Sequence, residues 1–312
     1  MSPVVVAAAY GGPEVLTHTD EQAGVPGPGQ ALIEIRAAGV NPIDYKMYSG
    51  AYGRDPSALP IRLGYEASGV VIAAGQDAAG PVRPGDEVIA YRVSGAYAGE
   101  LIADAAALVP KPATLDWAPA AGLMLAGATA WHCLDATGVT AGDTVLLHGA
   151  AGGVGIMAIQ LAIARGAAVL ATGSPASLEF LHELGATAVT YGPGLAGRIR
   201  DLAPGGIAAA LDLAGTDEAV DVSLELVADR ARIATIAAPR RAGPDGFRAL
   251  GNGPGADPGT QIRMAARTEL AAMAGDGTLR VIMAGTCPLA EAAQAHRAIM
   301  AGHTHGKIAL IL

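Results

Sequence analysis

The clearest patterning of apolar and polar positions lies between Thr144 and Thr172, TVLLHGAAGGVGIMAIQLAIARGAAVLAT. Thr144 to His148 is mostly branched and apolar, the pattern of a buried parallel strand. A glycine-rich turn follows, from Gly149 to Gly155. Ile156, Ile159, Gln160 and Ile163 then continue at helical spacing until Gly166 stops the helix. Val169 to Thr172 is a second short apolar run. A strand, a glycine turn, a helix and a strand in about thirty residues make one βαβ crossover. Ala150, Gly152 and Gly155 stand at the three positions of a GxGxxG turn, with alanine in place of the first glycine. Such a turn lets backbone approach a pyrophosphate, and the helix N-terminus supplies unpaired N–H groups and a positive dipole end. A tight turn would select glycine by itself, but the flanking strands and helix supply the context that dinucleotide binding requires.

Before this unit the pattern is mostly β. Val4–Ala9, a resumed extended segment at Glu14–Leu16, the alternating run Ala31–Ala37, Leu63–Ala73 and Glu87–Val93 read as extended segments separated by Gly and Pro turns. Pro110, Pro112 and Pro119 mark the way out of this region. Ala118–Cys133 reads as a small-residue helix. After the crossover the spacing predicts a helix from about Ser177 to Leu184, strands at Ala188–Thr190, Ala208–Leu213 and Ala231–Ala237, and a short helix through Leu195, Ile199 and Leu202. Strands alternating with helices predict a doubly wound parallel sheet. Pro239–Pro258 reads as a long polar loop. Helices at Gln261–Ala274 and Leu289–Met300 and strands near Leu279–Met283 and Lys307–Leu312 complete the chain.

Composition narrows the class. Half of the 312 residues are apolar but only 4% are aromatic, because alanine and glycine carry much of that share. No stretch approaches about eighteen uninterrupted large apolar residues, so no membrane span is expected. The start, MSPVVVAAAYGG, lacks a basic n-region, and a cytoplasmic location is expected. A net charge of −9 argues against general affinity for nucleic acid. The two cysteines, Cys133 and Cys287, form neither a disulfide framework nor a metal cluster.

A β-rich first third, a dinucleotide domain and a return segment resemble the medium-chain dehydrogenase/reductase superfamily. The resemblance rests on YGGPEVL near the start, AAGVNPIDYKMYSG from Ala37, LGYEASGVV from Leu63, PGDEV from Pro84, the Thr129-Ala130-Trp131 run, HGAAGGVG from His148 and the terminal GKIALIL. Those blocks look most like the zinc-independent quinone oxidoreductase branch, which includes zeta-crystallin. The resemblance implies an α/β architecture. A GroES-like β-barrel substrate domain would comprise residues 1–116 and 262–312, and a Rossmann domain residues 117–261. It also implies a homodimer.

Zinc-dependent relatives carry Cys and His in the blocks that here hold Asn41 and Tyr65. Catalytic zinc takes three protein ligands, and only Glu66 remains, so no metal is expected. His303 and His305 read as part of a solvated turn. Without a Lewis acid, an acceptor that delocalises the incoming charge is the better fit. The expected substrate is therefore a quinone or an α,β-unsaturated carbonyl. The resemblance puts Asn41 near the nicotinamide and makes Tyr52, Asn41 and Asp44 the candidate catalytic residues. Asn41 and Asp44 would lie in a loop restricted by Pro42. Tyr52 would be the proton donor, with Tyr45 and Tyr48 as alternatives. Lys46 is expected to be a surface or loop-anchoring residue, and Tyr65 could line the pocket.

Candidate cofactor-binding residues are Ala151, Gly152, Gly153, Val154 and Gly155 in the turn. Thr129 resembles the family's nicotinamide-contacting threonine. Ile236, Ala237 and Ala238, at the end of the fifth strand, could meet the carboxamide. An NAD-preferring site places a carboxylate at the end of the second strand. Here Gly173 follows Thr172, and Ser174, Ser177 and Tyr191 are placed to receive a 2′-phosphate. The expected cofactor is NADPH in preference to NADH, although no Lys or Arg lies between Gly173 and Leu184, while Glu179 does. Two other functions fit the same residues: a dedicated biosynthetic enoyl reductase, its substrate set by the loops Tyr48–Pro60 and Pro239–Pro258, and a non-catalytic NADPH-binding sensor or crystallin-like protein.

Overall fold

The structure is a computed structural model and describes residues 1–80, 82–302 and 304–312; the expectation for His303 lies outside the described residues. The chain divides into two compact units, one of residues 1–125, 268–277 and 281–312, the other of residues 126–267 and 278–280.

The first unit is β-rich. In chain order it holds β1 (Ser2–Ala7), β2 (Leu16–Glu21), β3 (Gln30–Val40), α1 (Pro42–Ser49), β4 (Ile61–Arg62), β5 (Glu66–Ala74), β6 (Glu87–Tyr91), β7 (Glu100–Asp104), β8 (Leu108–Pro110) and the first half of α2 (Trp117–Ala136). β1 pairs antiparallel with β2 and β4 in one sheet. β3 is the longest strand and pairs antiparallel with both β5 and β7. Its alternation buries Ala31, Ile33 and Ile35 against Tyr48, Leu63, Val71, Val88 and Tyr97 in a single core. β7 and β8 are too short and too broken by turns to stand out in the sequence.

Two differences in this unit bear on function. Asn41 and Asp44 are not in a loop. Asn41 precedes α1, Pro42 occupies its first turn, and the Asp44 carboxylate accepts the Asn41 backbone N–H at 2.8 Å. Proline there costs no hydrogen bond, and the reciprocal Asp44 contact fixes the helix start. Leu63–Tyr65 lies outside the strand expected at Leu63–Ala73, which begins at Glu66. That frees the Gly64 N–H from the sheet ladder.

The second unit carries β9 (Thr144–His148), α3 (Gly153–Ala164), β10 (Ala168–Gly173), α4 (Leu178–Glu183), β11 (Thr187–Thr190), α5 (Leu195–Leu202), β12 (Ala209–Asp212), α6 (Asp217–Leu226), β13 (Ile233–Thr235), α7 (Pro239–Asp245), β14 (Arg248–Ala249) and α8 (Thr260–Ala265). Six parallel strands run in the order β11-β10-β9-β12-β13-β14. The order reverses at β9, so the crevice beyond its carboxyl end is the place where such sheets bind ligands. The segment expected as a loop at Pro239–Pro258 instead contributes α7 and the sixth strand. Arg241 holds it, donating to Asp217 and Asp221 on α6 and to Asp245.

The return to the first unit runs through α9 (Arg267–Asp276), β15 (Met283–Pro288), α10 (Ala292–Met300) and β16 (Lys307–Ile311). The helix expected over Gln261–Ala274 is broken between α8 and α9. The strand expected near Leu279–Met283 begins only at Met283; Leu279 is buried but not in a strand. β16 pairs with β15 and β3, which completes a seven-stranded sheet in the order β15-β16-β3-β5-β6-β8, with β7 on β3. Among the described residues, no helix is long and apolar enough to cross a membrane.

Candidate active site

The turn after β9 has the stereochemistry that a close approach requires. Gly149 sits at φ +72°. A Cβ on Gly155 would stand 2.4 Å from the Ala150 carbonyl oxygen, so this glycine is needed for the turn to close. Gly152 differs: its φ is −77°, and a Cβ there would meet nothing nearer than the Gly149 oxygen at 3.4 Å. The fold itself does not demand glycine at 152. Ala151, Gly152, Gly153 and Val154 are partly exposed, and no side chain caps α3. The first amides of a twelve-residue helix are therefore left for an external acceptor.

Around this turn the carboxyl edge of the sheet is polar and buried. Thr235 Oγ1 donates to Asp212 Oδ2 at 2.7 Å, and Asp212 Oδ1 accepts the Ala214 and Gly215 N–H groups. Thr235 Oγ1 in turn accepts the N–H groups of Ala237 and Ala238, while the Ile236 N–H goes to the Asp212 carbonyl. With those donors spent, Ile236 and Ala237 have carbonyl oxygens to offer a ligand, whereas the Ala238 carbonyl accepts the Arg241 N–H at the start of α7. His148, directly before the turn, lies 3.2 Å from Thr172 Oγ1 through Nδ1 and has a buried Nε2 without a partner among the described residues. Burial pushes its pKa down to about 4, so the ring is neutral.

At the end of β10, Gly173 is buried, and a Cβ would fall 2.5 Å from Ser177 Oγ and 2.7 Å from Leu181 Cδ1. A side chain at 173 therefore has to displace the ends of Ser177 and Leu181. Ser177 is 1% exposed and spends its hydroxyl on the Ser174 carbonyl and the Ser174 hydroxyl. Ser174 is half-buried and Tyr191 is exposed. Sequence spacing missed Arg198. Its guanidinium donates to the carbonyls of Thr190, Gly192 and Pro193, which brings a positive charge beside Tyr191 at the end of β11.

In the first unit, Asn41 and Asp44 are enclosed rather than presented. The Asn41 amide donates to Gly39 O at 3.3 Å and Glu66 Oε1 at 3.0 Å, and its oxygen accepts from Lys307 Nζ. Lys307 also reaches Glu66 Oε1 at 3.1 Å and Val40 O at 3.3 Å; Glu66 Oε2 accepts the Leu125 N–H at 2.7 Å. Asp44 Oδ1 accepts the Gly64 N–H at 3.0 Å, and Oδ2 receives Tyr97 Oη at 3.3 Å as well as the Asn41 N–H. Tyr97 Oη lies 3.0 Å from His296 Nε2, and His296 Nδ1 lies 2.7 Å from Tyr48 Oη. Burial holds His296 near pKa 4, so the ring is neutral, while burial drives Asp44 up to about 7 against the lowering pull of its hydrogen bonds. If Tyr97 donates to Asp44, it accepts the His296 Nε2 proton, and Nδ1 accepts from Tyr48. One directed chain of hydrogen bonds thus runs from Tyr48 to Asp44.

Tyr48 is fully buried in this chain and leaves the set of tyrosines that could meet a ligand. Tyr52 is 53% exposed, and Tyr45 and Tyr65 are half-buried. Partial burial, with a lesser contribution from Tyr45, holds the Tyr52 phenol above its ordinary pKa and therefore protonated at neutral pH.

Zinc would need donors that this arrangement does not supply. Glu66 has both oxygens committed to a lysine, an amide and a backbone N–H, and its neighbours are Asn41 and Tyr65. Among the described residues no three His, Cys, Asp or Glu side chains could hold a metal. The donor set does not fit a catalytic zinc, although one of the family descriptions matched below includes zinc.

Residues 27–113 match the family described as the alcohol dehydrogenase GroES-like domain, and residues 184–310 match the family described as zinc-binding dehydrogenase. A solved mycobacterial quinone oxidoreductase is 31% identical, with a TM-score of 0.83 over all of both chains. The chain belongs to the medium-chain dehydrogenase/reductase superfamily. Within it, the chain falls in the quinone oxidoreductase branch. Quinone oxidoreductase of Mus musculus is 40% identical over 166 residues, 52% of this chain and 50% of that protein. The chain spans about half the length of the curated relatives it matches first. A solved quinone oxidoreductase of Escherichia coli, complexed with NADPH, is 25% identical with a TM-score of 0.86, covering 99% of this chain and 100% of that one.

Proposed function

We propose that the chain is an NADPH-dependent oxidoreductase that passes hydride, without zinc, to a quinone or an α,β-unsaturated carbonyl. The observation that carries this reading is the turn at Gly149–Gly155. Gly149 and Gly155 are required by the fold, while Gly152 is open and stands beside uncapped α3 amides. A glycine that the fold does not need is explained by something that approaches it. The N–H groups of Gly153 and Val154 would take the pyrophosphate, and Ala151 would shape the approach. Ser174, Tyr191 and Arg198 would take the 2′-phosphate; Arg198 supplies the positive charge that the second strand lacks. Gly173 and Ser177 pack that corner from within. Thr129 and the carbonyls of Ile236 and Ala237 would hold the nicotinamide end, with Ala238 capping α7 beside them.

Bound NADPH supplies the hydride. The protein contributes position and a proton. The Tyr52 phenol keeps its proton at neutral pH and gives it to the carbanion that an enone becomes, a role a quinone requires less. Asn41 and Asp44 act by position, because their side-chain hydrogen bonds are made inside the unit. The pairing of a quinone oxidoreductase name with NADPH in the solved Escherichia coli relative supports the same cofactor and acceptor class.

The experiment is NADPH consumption with an ortho-quinone and with a panel of enones, for the wild type and Tyr52→Phe. Loss of enone reduction with quinone reduction intact assigns the phenol. Turnover of one narrow enoyl class alone would favour a biosynthetic reductase. NADPH binding with no turnover on any acceptor would leave a binding protein in place of an enzyme. The expected homodimer is read in the same preparation by sedimentation.

A further inference from the structure

Arg263 on α8 and Thr129 on α2 are 134 positions apart and share a hydrogen bond, Arg263 Nη1 donating to Thr129 Oγ1 at 3.2 Å. Arg263 Nε donates to His132 Nδ1 at 3.2 Å. His132 Nε2 faces Asp257 Oδ2 at 3.3 Å, and the other Asp257 oxygen accepts the Gly259 N–H at 2.8 Å. A ring nitrogen that accepts from a guanidinium carries no proton, so the His132 proton sits on Nε2 and is given to Asp257. Burial, and then the neighbouring guanidinium, hold His132 below its ordinary pKa, which keeps that neutral tautomer. The ring is wedged as well: a Cβ on Gly259 would fall 2.3 Å from His132 Cε1. Asp257 and His132 are therefore a positioning pair for Arg263.

Two donors remain unused. Arg263 is 9% exposed, and its Nη2 is enclosed without a partner among the described residues. Thr129 is 6% exposed and accepts from Arg263, with its own O–H committed to no acceptor among the described residues. A buried charged donor without an acceptor is costly to maintain. Position, charge and geometry all call for an oxygen that no described residue provides.

We propose that Arg263 Nη2 and the Thr129 hydroxyl form a two-donor site for a carbonyl oxygen at the nicotinamide end of the cofactor. The oxygen belongs either to the cofactor's carboxamide or to the acceptor. This rests on the reading of Thr129 as a cofactor-binding residue. The matching half of a carboxamide site lies in the same unit: Ile236 and Ala237 have spent their N–H groups and offer carbonyls to an amide NH2. A fixed guanidinium there has a second consequence. The oxidised pyridinium ring is positively charged and the reduced ring is neutral, so Arg263 disfavours NADP+ and spares NADPH.

The test compares the wild type with Arg263→Met, Arg263→Lys and Thr129→Val, using NADPH and NADP+ titrations without acceptor and then steady-state kinetics with an ortho-quinone. Circular dichroism and thermal unfolding establish that each variant is folded. For the carboxamide oxygen, Arg263→Met weakens NADPH by about tenfold, the loss of one hydrogen bond to a charged donor. The ratio of the NADP+ to the NADPH dissociation constant also narrows severalfold, a change that a merely structural arginine would not produce. Arg263→Lys keeps the ratio and loses part of the affinity. For the acceptor oxygen, NADPH affinity is unchanged while the quinone KM rises or kcat falls. Should Arg263→Met fail to fold because His132 loses its donor, Thr129→Val leaves that bond in place and reads the same site. Unchanged cofactor affinity, ratio and kinetics in folded variants overturn the proposal and leave an internal water as the occupant. A wild-type chain that binds no NADPH overturns the functional reading beneath it instead.

Discussion

Gly152 and Gly155 of the β9–α3 turn make opposite demands, and that difference can be measured. Gly155 has the Ala150 oxygen, carbon and Cα within 2.4 to 2.6 Å of where a Cβ would be, all of them backbone. Gly155→Ala must therefore move the turn against the helix. Overpacking of this kind costs about 1–3 kcal/mol, a fall in Tm of roughly 1–2 °C for each kcal/mol in a chain of this size. At Gly152 the nearest atom to a new Cβ is 3.4 Å away and φ is −77°. Gly152→Ala should lose no more than about 1 kcal/mol, the ordinary difference between glycine and alanine before a helix. The added methyl, or the larger side chain of Gly152→Val, stands where a pyrophosphate must come to meet the α3 amides. Losing one such amide–phosphate bond costs about 1.5–3 kcal/mol, which is roughly ten- to a hundredfold in the NADPH dissociation constant. The assay is a pair of measurements on each variant: thermal unfolding without cofactor, and quenching of protein fluorescence on NADPH titration. Gly152→Val should keep its Tm within about 3 °C of the wild type and bind at least tenfold more weakly, as the costs above imply. If Gly152→Val binds NADPH normally while remaining folded, the cofactor does not approach this turn and the carrying observation is lost.

Three other outcomes follow from particular contacts. A side chain at Gly173 must displace Ser177 Oγ and Leu181 Cδ1, so cofactor choice is better moved at the half-buried Ser174. At an effective dielectric near 20 and about 5 Å, one unit of charge repulsion is about 3 kcal/mol before screening. Salt and exposure reduce it severalfold, so Ser174→Asp should lower kcat/KM for NADPH by roughly tenfold and leave NADH unharmed; equal losses for both would refute the placement. Lys307→Met strands the buried Glu66 carboxylate and should cost about 3–5 kcal/mol in urea unfolding, much of it regained in Lys307→Met with Glu66→Gln. Asp44 has a folded pKa raised to about 7, so its neutral form stabilises the protein. That contribution is complete below the unfolded value near 4 and is lost as pH rises through about 7. The stability difference between wild type and Asp44→Asn should therefore shrink by up to about 4 kcal/mol across that window, with the opposite trend of His296 cancelling; a constant difference would mean that Asp44 is already ionised at pH 4.

The elements with a strong local period were legible in the sequence. β9 was expected at Thr144–His148 and α5 around Leu195, Ile199 and Leu202, and both are found there. Segments held by distant partners were not. α7 contains Pro244 and little apolar character, and it exists because Arg241 ties it to Asp217 and Asp221. β15 is mostly exposed, pairs with β16 alone and contains glycine and proline, so its burial pattern carries no strand signal. The turn residues of the candidate site could be named because a βαβ unit is contiguous. Arg198, Arg263, Lys307 and His296 could not, since each acquires its meaning from a side chain or backbone group that only folding brings near. The start of α1 is displayed locally: proline directly after asparagine, with aspartate two residues further on, is a helix start.

The enclosure of Asn41 and Asp44 changes what mutations at these positions can report. Both Asn41 amide hydrogens and its oxygen are bonded within the first unit, and Asp44 bonds the Asn41 and Gly64 N–H groups. Those two N–H groups begin the segments that carry Asn41 and Tyr65. The Asp44 carboxylate thus ties the start of α1 to the turn before β5, and Glu66 with Lys307 ties β5 to the ends of β3 and β16. A metal ion would cross-link such segments by coordination. Here an ion pair, an amide and a buried carboxylate do so with hydrogen bonds, and the arrangement leaves no lone pair on Glu66 Oε1 for a ligand once Lys307 and Asn41 are in place. Loss of activity on mutating Asn41 or Asp44 would accordingly be a loss of geometry. It should appear in thermal stability as well as in rate, unlike a loss at Tyr52, whose half-exposed phenol holds nothing together.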